Sequence, residues 1–223
     1  LFLLIIYTFV FGALYQQAPT EKLGAGSFAI TLFSALVFYN FMNDAVGRAS
    51  KLLVDNPNYI TKVVFPVEIL PVSLVGSSLL HFCVNILILL GGILLSSQEM
   101  HWTVILFPVV VFPLVLTSLG VCWFLAAVGV YFRDIASFVP PLMMALLFVS
   151  AIFFPVSSIP ESYQPWLLLN PMACFSEMGR AIFTKGEMPK IGMLGYCFGI
   201  GVVCFFGGYA VFHRLKKGLS DAL

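Results

Sequence analysis

Apolar stretches dominate the chain, and short polar breaks divide them into six runs, roughly residues 1–15, 24–43, 67–95, 102–131, 138–154 and 191–212. A membrane-spanning helix needs about 20 predominantly apolar residues. The pattern therefore predicts an all-α integral membrane protein with six transmembrane helices, forming one transmembrane domain over 1–223. The first run, LFLLIIYTFVFGALY, is shorter than a full span and has no basic flank, so it reads as a truncated span and not as a signal peptide. Pro108 and Pro113 are expected to bend the fourth run, and Pro140-Pro141 to open the fifth. The chain closes on a polar tail over 213–223, HRLKKGLSDAL.

Two interruptions carry structure of their own. The stretch 55–71 reads DNPNYITKVVFPVEILP. Asn56 suits a helix N-cap and Pro57 the first helical position, where a missing N–H costs nothing. Pro66 stops the helix, which predicts a short helix over 56–65. Tyr59, Ile60, Val63 and Val64 fall on one face at helical spacing, whereas Asn58, Thr61 and Lys62 fall elsewhere. Phe65 ends it. Such a helix can plug a groove on another protein or lie on the lipid surface, and periodicity does not choose between these.

The second interruption, 155–186, is long for a loop yet rich in aromatic residues and Leu. It predicts two short helices. The first lies within 160–169 and includes Trp166, after Pro155 and Pro160. The second takes Asn170 as cap, Pro171 in its first turn and Gly186 as stop. Met172, Phe175, Gly179, Ile182 and Phe183 form its apolar stripe, with Glu177, Arg180 and Lys185 expected elsewhere. The hairpin either dips partway into the membrane against protein, as a lid over a pathway, or rests at the lipid interface.

Composition strengthens the membrane reading. Hydrophobic residues make up 61% of the chain and charged residues 9%, against about 25% charged in soluble domains. The formal net charge of +1 gives no electrostatic footprint for nucleic acid. Charge also orients the chain. If the side holding 47–62 is the cytoplasm, it receives Arg48, Lys51, Lys62, Arg133, Arg214, Lys216 and Lys217, seven of the eleven Lys and Arg. The other side receives Lys22, Arg180, Lys185 and Lys190. By the positive-inside rule both termini are then cytoplasmic.

Candidate chemistry is sparse. No GxxxxGK[ST] is present, so a P-loop for ATP would have to lie on another chain. The loose glycine pattern at 24–29 precedes a span instead of following a strand, which rules out a dinucleotide fingerprint. The five Cys show no metal-ligand spacing, and no metal site is expected. Asp and Glu lie near span ends, which argues against a proton-relay carrier. His81, inside the third run, either bonds a neighbouring helix or lines a polar pathway. Gly195 and Gly199 allow close helix contact in the last run. Tyr7, Phe11 and Tyr15 recur every four residues in the first run, and Phe38, Phe148 and Phe153 sit in the second and fifth. Their rings could stack on sugar faces in a glycan pathway or serve as ordinary core.

Taken together, DNPNYITKVVFPVEILP, the Phe132-Arg133-Asp134-Ile135 turn, FFPVSSIPESYQPWLLLNPMACFSEMGRAIF over 153–183 and the basic tail are similar to the permease subunit of ABC-2 type polysaccharide exporters, which move O-antigen, capsule or teichoic acid chains. The resemblance runs in order along nearly the whole chain. It implies six spans per subunit and a homodimer paired with two copies of a P-loop ATPase. It further implies a coupling helix at 56–65 that docks on the ATPase through Asn56, Pro57, Tyr59, Ile60, Lys62, Val63, Val64 and Phe65. Arg133 and Asp134 would lie on a cytoplasmic loop. Pro155, Pro160, Trp166, Asn170, Pro171 and Arg180 would belong to an outer gate hairpin over 155–186. The permease would have no catalytic residue and no cofactor of its own, ATP and Mg being bound by the partner ATPase. Its place would be the bacterial cytoplasmic membrane and its cargo a lipid-linked glycan. The same architecture could export drugs or small lipids. A membrane enzyme acting on polyprenyl-linked sugars would need clustered carboxylates or His, and Glu161, Glu177 and Glu187 show no such partner in the sequence.

Overall fold

The computed structural model describes residues 25–58, 66–96 and 100–218. The expected first span and most of the expected coupling helix, residues 59–65, lie outside the described residues. Within them the chain is helical, and no strand occurs among the described residues. The helices are α1 (Ala25–Ala49), α2 (Ile69–Leu95), α3 (Phe107–Tyr131), α4 (Ile135–Val149), α5 (Gln164–Leu168), α6 (Pro171–Arg180) and α7 (Ile191–Leu215), with a 3-10 turn at Trp102–Leu106 running into α3.

Among the described residues, four segments are long and apolar enough to cross a membrane: Ala29–Ala49, Ile69–Leu95, Trp102–Tyr131 and Ile191–Leu215. The chain is a multi-pass membrane protein. The fourth helix, α4, has only 15 residues, about 22 Å at 1.5 Å per residue, short of the ~30 Å hydrocarbon core.

The boundaries of α4 differ from the sequence expectation at both ends. The helix begins at Ile135, so Pro140 and Pro141 lie inside it and not at its entrance. The start lies upstream of the prolines because the opening turn is closed there by i to i+3 bonds, the N–H groups of Ile135, Ala136 and Ser137 donating to the carbonyls of Phe132, Arg133 and Asp134. The helix stops at Val149, five residues before the expected end at Phe154. Ser150 Oγ donates back to the Leu146 carbonyl, and Ala151 takes a left-handed conformation at φ 51°, which a non-glycine residue adopts only when its surroundings enforce it.

Two helix seams hold the bundle. In the first, α3 and α7 run in contact along their lengths. A Cβ on Gly120 would strike the Cys204 carbonyl, and one on Gly208 would strike the Gly120 carbonyl. Glycine normally costs about 1 kcal/mol relative to Ala inside a helix, and here it permits the backbones to meet. Gly195 and Gly199 take no part in this seam, since both have open space around them within the chain. In the second seam α1, the most deeply packed span, lies against α2, α3, α4 and α6. Phe38, Phe82 and Phe107 meet with ring centroids 5.5–5.9 Å apart. Phe38 has no exposed surface.

Replacing Gly208 by Val is expected to pry α3 from α7 and sharply lower the yield of folded protein in detergent. Gly195→Val should leave that yield unchanged. Size-exclusion profiles and thermal melts of the two variants make the comparison.

Candidate coupling segment and gate hairpin

The hairpin over 155–186 is built largely as its sequence predicts and is held by groups that its sequence does not reveal. Asn170 caps α6, its Oδ1 accepting from the Met172 N–H at 3.0 Å. Its amide nitrogen donates to Ser150 Oγ at 3.1 Å and reaches the Val149 carbonyl at 3.4 Å. One side chain thus caps the hairpin helix and binds it to the end of α4. Pro171 occupies the first turn. After Arg180 the helix widens into a π-turn, Ala181–Lys185. Thr103 Oγ1 takes up the freed Ile182 carbonyl at 2.8 Å, and Gly186 ends the element at φ 64°. Any side chain at Gly186 would also meet the His101 ring, 2.6 Å from Nδ1.

The expected apolar stripe is fully sunk. Met172, Phe175, Ile182 and Phe183 are each 2% exposed or less, and Phe183 packs on Phe107 with centroids 5.4 Å apart. Gly179 lets α6 approach α1, where a Cβ would crowd Phe38 and the Ser34 carbonyl. The second helix, α6, is therefore packed into the aromatic core against α1 and α3, whereas α5 keeps Trp166 and, at its end, Leu169 exposed.

Arg180 departs from expectation. It was placed by periodicity off the apolar stripe, yet it is 1% exposed. Its guanidinium donates to the carbonyls of Ala151 and Ile152 and, at 3.1 Å, to Glu177. These carbonyls belong to the turn that ends α4, and with little water to bond them they need an internal donor. Glu177 also accepts from Lys185 at 3.2 Å and lies 3.5 Å from the Val156 N–H. Burial pushes the Glu177 carboxyl up, but Arg180 and Lys185 outweigh it and hold the group below its ordinary value. Glu177 went unassigned at the sequence level. Its i, i+3 spacing to Arg180 was the available signal.

The other sequence candidates are distributed as follows. Pro155 is half-buried at the hairpin entrance, and Pro160 and Trp166 are exposed. Phe148 and Phe153 pack together at 5.6 Å and keep accessible surface. Phe38 is enclosed by Phe82, Phe107 and α6 and packs as core in this conformation. Tyr7, Phe11 and Tyr15 lie outside the described residues. Arg133 and Asp134 are exposed in the turn between α3 and α4. His81 does bond across helices, its Nδ1 lying 3.4 Å from Asp44 Oδ2. The same carboxylate takes Arg48 at 2.7 Å, and Arg48 reaches Ser78 Oγ at 3.1 Å.

Near the expected coupling segment, Asn56 and Pro57 are described and Tyr59, Ile60, Lys62, Val63, Val64 and Phe65 are not. The Asn56 amide donates to the Leu52 carbonyl at 2.9 Å, tying the segment's entrance to the turn after α1. At its exit, Glu68 accepts from Lys216 at 2.5 Å.

Residues 1–184 match the sequence profile of the ABC-2 type transporter family. The chain belongs to that family. Among similar ABC-2 proteins, the O-antigen export system permease protein RfbA of Myxococcus xanthus is 26% identical over 222 residues, 99% of this chain and 83% of that protein. The protein of the same name from Klebsiella pneumoniae is 22% identical, covering 98% of this chain and 82% of its own length. The polysialic acid transport protein KpsM of Escherichia coli is 23% identical over 97% of this chain and 83% of its own.

Arg180→Ala removes the donor for two buried carbonyls and leaves Glu177 half-paired, a loss of about 3–5 kcal/mol. Arg180→Lys should be milder but not neutral, because a point ammonium cannot replace a planar fork of donors. Thermal melts of the purified chain check both. Because Glu177 is held below its ordinary value, its stabilising contribution is present above about pH 4.5 and is lost as pH falls through the lower folded value. The melting difference between the unaltered chain and Glu177→Gln should therefore shrink on acidification below about pH 4.

Proposed function

We propose that this chain is the permease subunit of an ATP-driven exporter that carries lipid-linked polysaccharide out across the bacterial cytoplasmic membrane. The observation that carries the reading is the family match together with near full-length similarity to O-antigen and polysialic acid transport proteins. The chain would work as a homodimer with two P-loop ATPase subunits, both termini facing the cytoplasm. ATP and Mg would be bound by those partners. In this reading the expected first span over 1–15 and the four described spans, with α4 and its hairpin, make one half of the pathway.

Each part of the chain then has a physical task. The 56–65 segment docks in a groove of the ATPase by its apolar face, Tyr59, Ile60, Val63 and Val64, with Lys62 at the rim. ATP binds one conformation of the partner more tightly, and that difference in affinity supplies the drive. Movement at the docking end must reach the opposite face, where the 155–186 hairpin stands as a gate. The Arg180 and Asn170 bonds bind gate and α4 into one unit, so tilting α4 carries the hairpin with it. Phe148 and Phe153 at the end of α4, with Trp166 on the hairpin, offer rings on which sugar faces can stack and slide. Tyr7, Phe11 and Tyr15 would continue that surface along the first span. Arg133 and Asp134 would lie at the cytoplasmic end of α4.

Changing Val63 and Val64 together to Asp places unpaired carboxylates in the docking face. The variant is expected to insert normally, to lose co-purification with its ATPase and to export at least about tenfold less glycan, since 1.4 kcal/mol of docking energy already corresponds to tenfold. Normal co-purification and export would overturn the docking assignment.

A further inference from the structure

The two feet of the 56–65 segment stand in one small apolar cluster, set apart from the main core. Leu53 before it and Val67 after it pack with Trp123, Ala126, Ala127 and Val130 of α3 and with Phe212 of α7. Leu53 is fully buried and Val67 is 6% exposed. Polar contacts repeat the arrangement. The Trp123 indole N–H donates to the Glu68 carbonyl at 3.1 Å, and the ring is gripped edge-on by Phe205 and Tyr209 of α7, each at 5.1 Å. The Glu68 carboxylate accepts from Lys216 at 2.5 Å, just past the end of α7. Tyr131 Oη donates to the Leu215 carbonyl at 3.0 Å, closing α3 onto α7 beside it. On the entrance side the Ser50 carbonyl abuts Gly129 of α3, where any Cβ would collide.

The carboxylate has one strong anchor. Glu68 Oε2 is buried and finds no hydrogen-bond partner among the described residues. Burial pushes the Glu68 carboxyl up, yet the Lys216 hydrogen bond, the backbone and the charges of Lys216 and His213 bring it below its ordinary value. The group is thus an anion whose position is set by Lys216.

Chain order alone suggests that a load on 56–65 passes into α1 and α2, its neighbours in sequence. The contacts lead elsewhere. We infer that the Glu68–Lys216 ion pair and the Trp123 bond to Glu68 make the α3–α7 pair the receiver of movement in the 56–65 segment, and that Glu68 and Lys216 are positioning residues for transport. The inference rests on the reading of 56–65 as the ATPase-docking segment. Because α3 and α7 meet backbone to backbone at Gly120 and Gly208, a pull on either moves both.

The test uses the whole complex with its ATPase in lipid vesicles and compares the unaltered chain with Glu68→Gln, Lys216→Met, the double variant and the exchanged pair Glu68→Lys with Lys216→Glu. Hydrogen exchange is followed with and without a non-hydrolysable ATP analogue, alongside glycan export. In the unaltered complex the analogue should change protection both at 50–58 and at 205–215. In each single variant the response at 50–58 should persist, the response at 205–215 should disappear, and export should fall about tenfold while the ATPase still co-purifies. The double variant should be no worse than either single one, and the exchanged pair should recover most of the export and the response at 205–215. The inference is overturned if 205–215 still responds in the single variants, if those variants export normally, or if the exchange restores nothing. Failure of docking itself shows up differently, as Val63→Asp/Val64→Asp complexes that hold their ATPase as before.

Discussion

A helix that ends inside a membrane protein leaves carbonyl groups with no water to bond, and Arg180 answers that constraint here. Its guanidinium takes the carbonyls of Ala151 and Ile152 at the foot of α4 and the carboxylate of Glu177 on its own helix. A buried charge is costly unless paired and hydrogen-bonded, and this one is both. Arg180 shares the end of α4 with Ser150, which bonds back to Leu146, and with Asn170, which bonds Ser150 and Val149.

Much of this was legible in the sequence because local rules act at helix ends. Asn170-Pro171 opening α6 and Gly186 closing it are backbone chemistry, and the structure follows them. The long spans were legible because membrane helices need length and apolar composition more than any particular pattern. Tertiary partners were not. Arg180 looked like a polar-face residue because periodicity records spacing on one helix and not what a neighbouring turn requires. Phe38 suited a glycan pathway by residue type, but Gly179 opposite it allows α6 to close over the ring. The small-residue motif at Gly195 and Gly199 is equally valid chemistry on an open face, while the contact with α3 uses Gly208, which pairs with Gly120 some ninety positions earlier. Such pairings depend on which helices become neighbours, which one segment cannot encode.

The ends of the bundle are built by different means. At the hairpin end, hydrogen bonds to backbone and a buried ion pair fix a rigid unit. At the other end, the 56–65 segment is bracketed by Leu53 and Val67 in a satellite apolar cluster and by one ion pair between distant parts of the chain. The glycine-lined seam of α3 and α7 connects these two regions. Under the proposed reading, in which a partner binds ATP, this seam would carry movement from the 56–65 end to the hairpin end.

Whether ATP used by a separate partner drives a lipid-linked glycan through this chain is decided by reconstituting the chain with its P-loop ATPase in vesicles and measuring appearance of a labelled polyprenyl-linked glycan on the far side. Translocation should require ATP, the partner and this chain together. Translocation that proceeds without the partner, or its absence from a complex that hydrolyses ATP and contains folded permease, would contradict it.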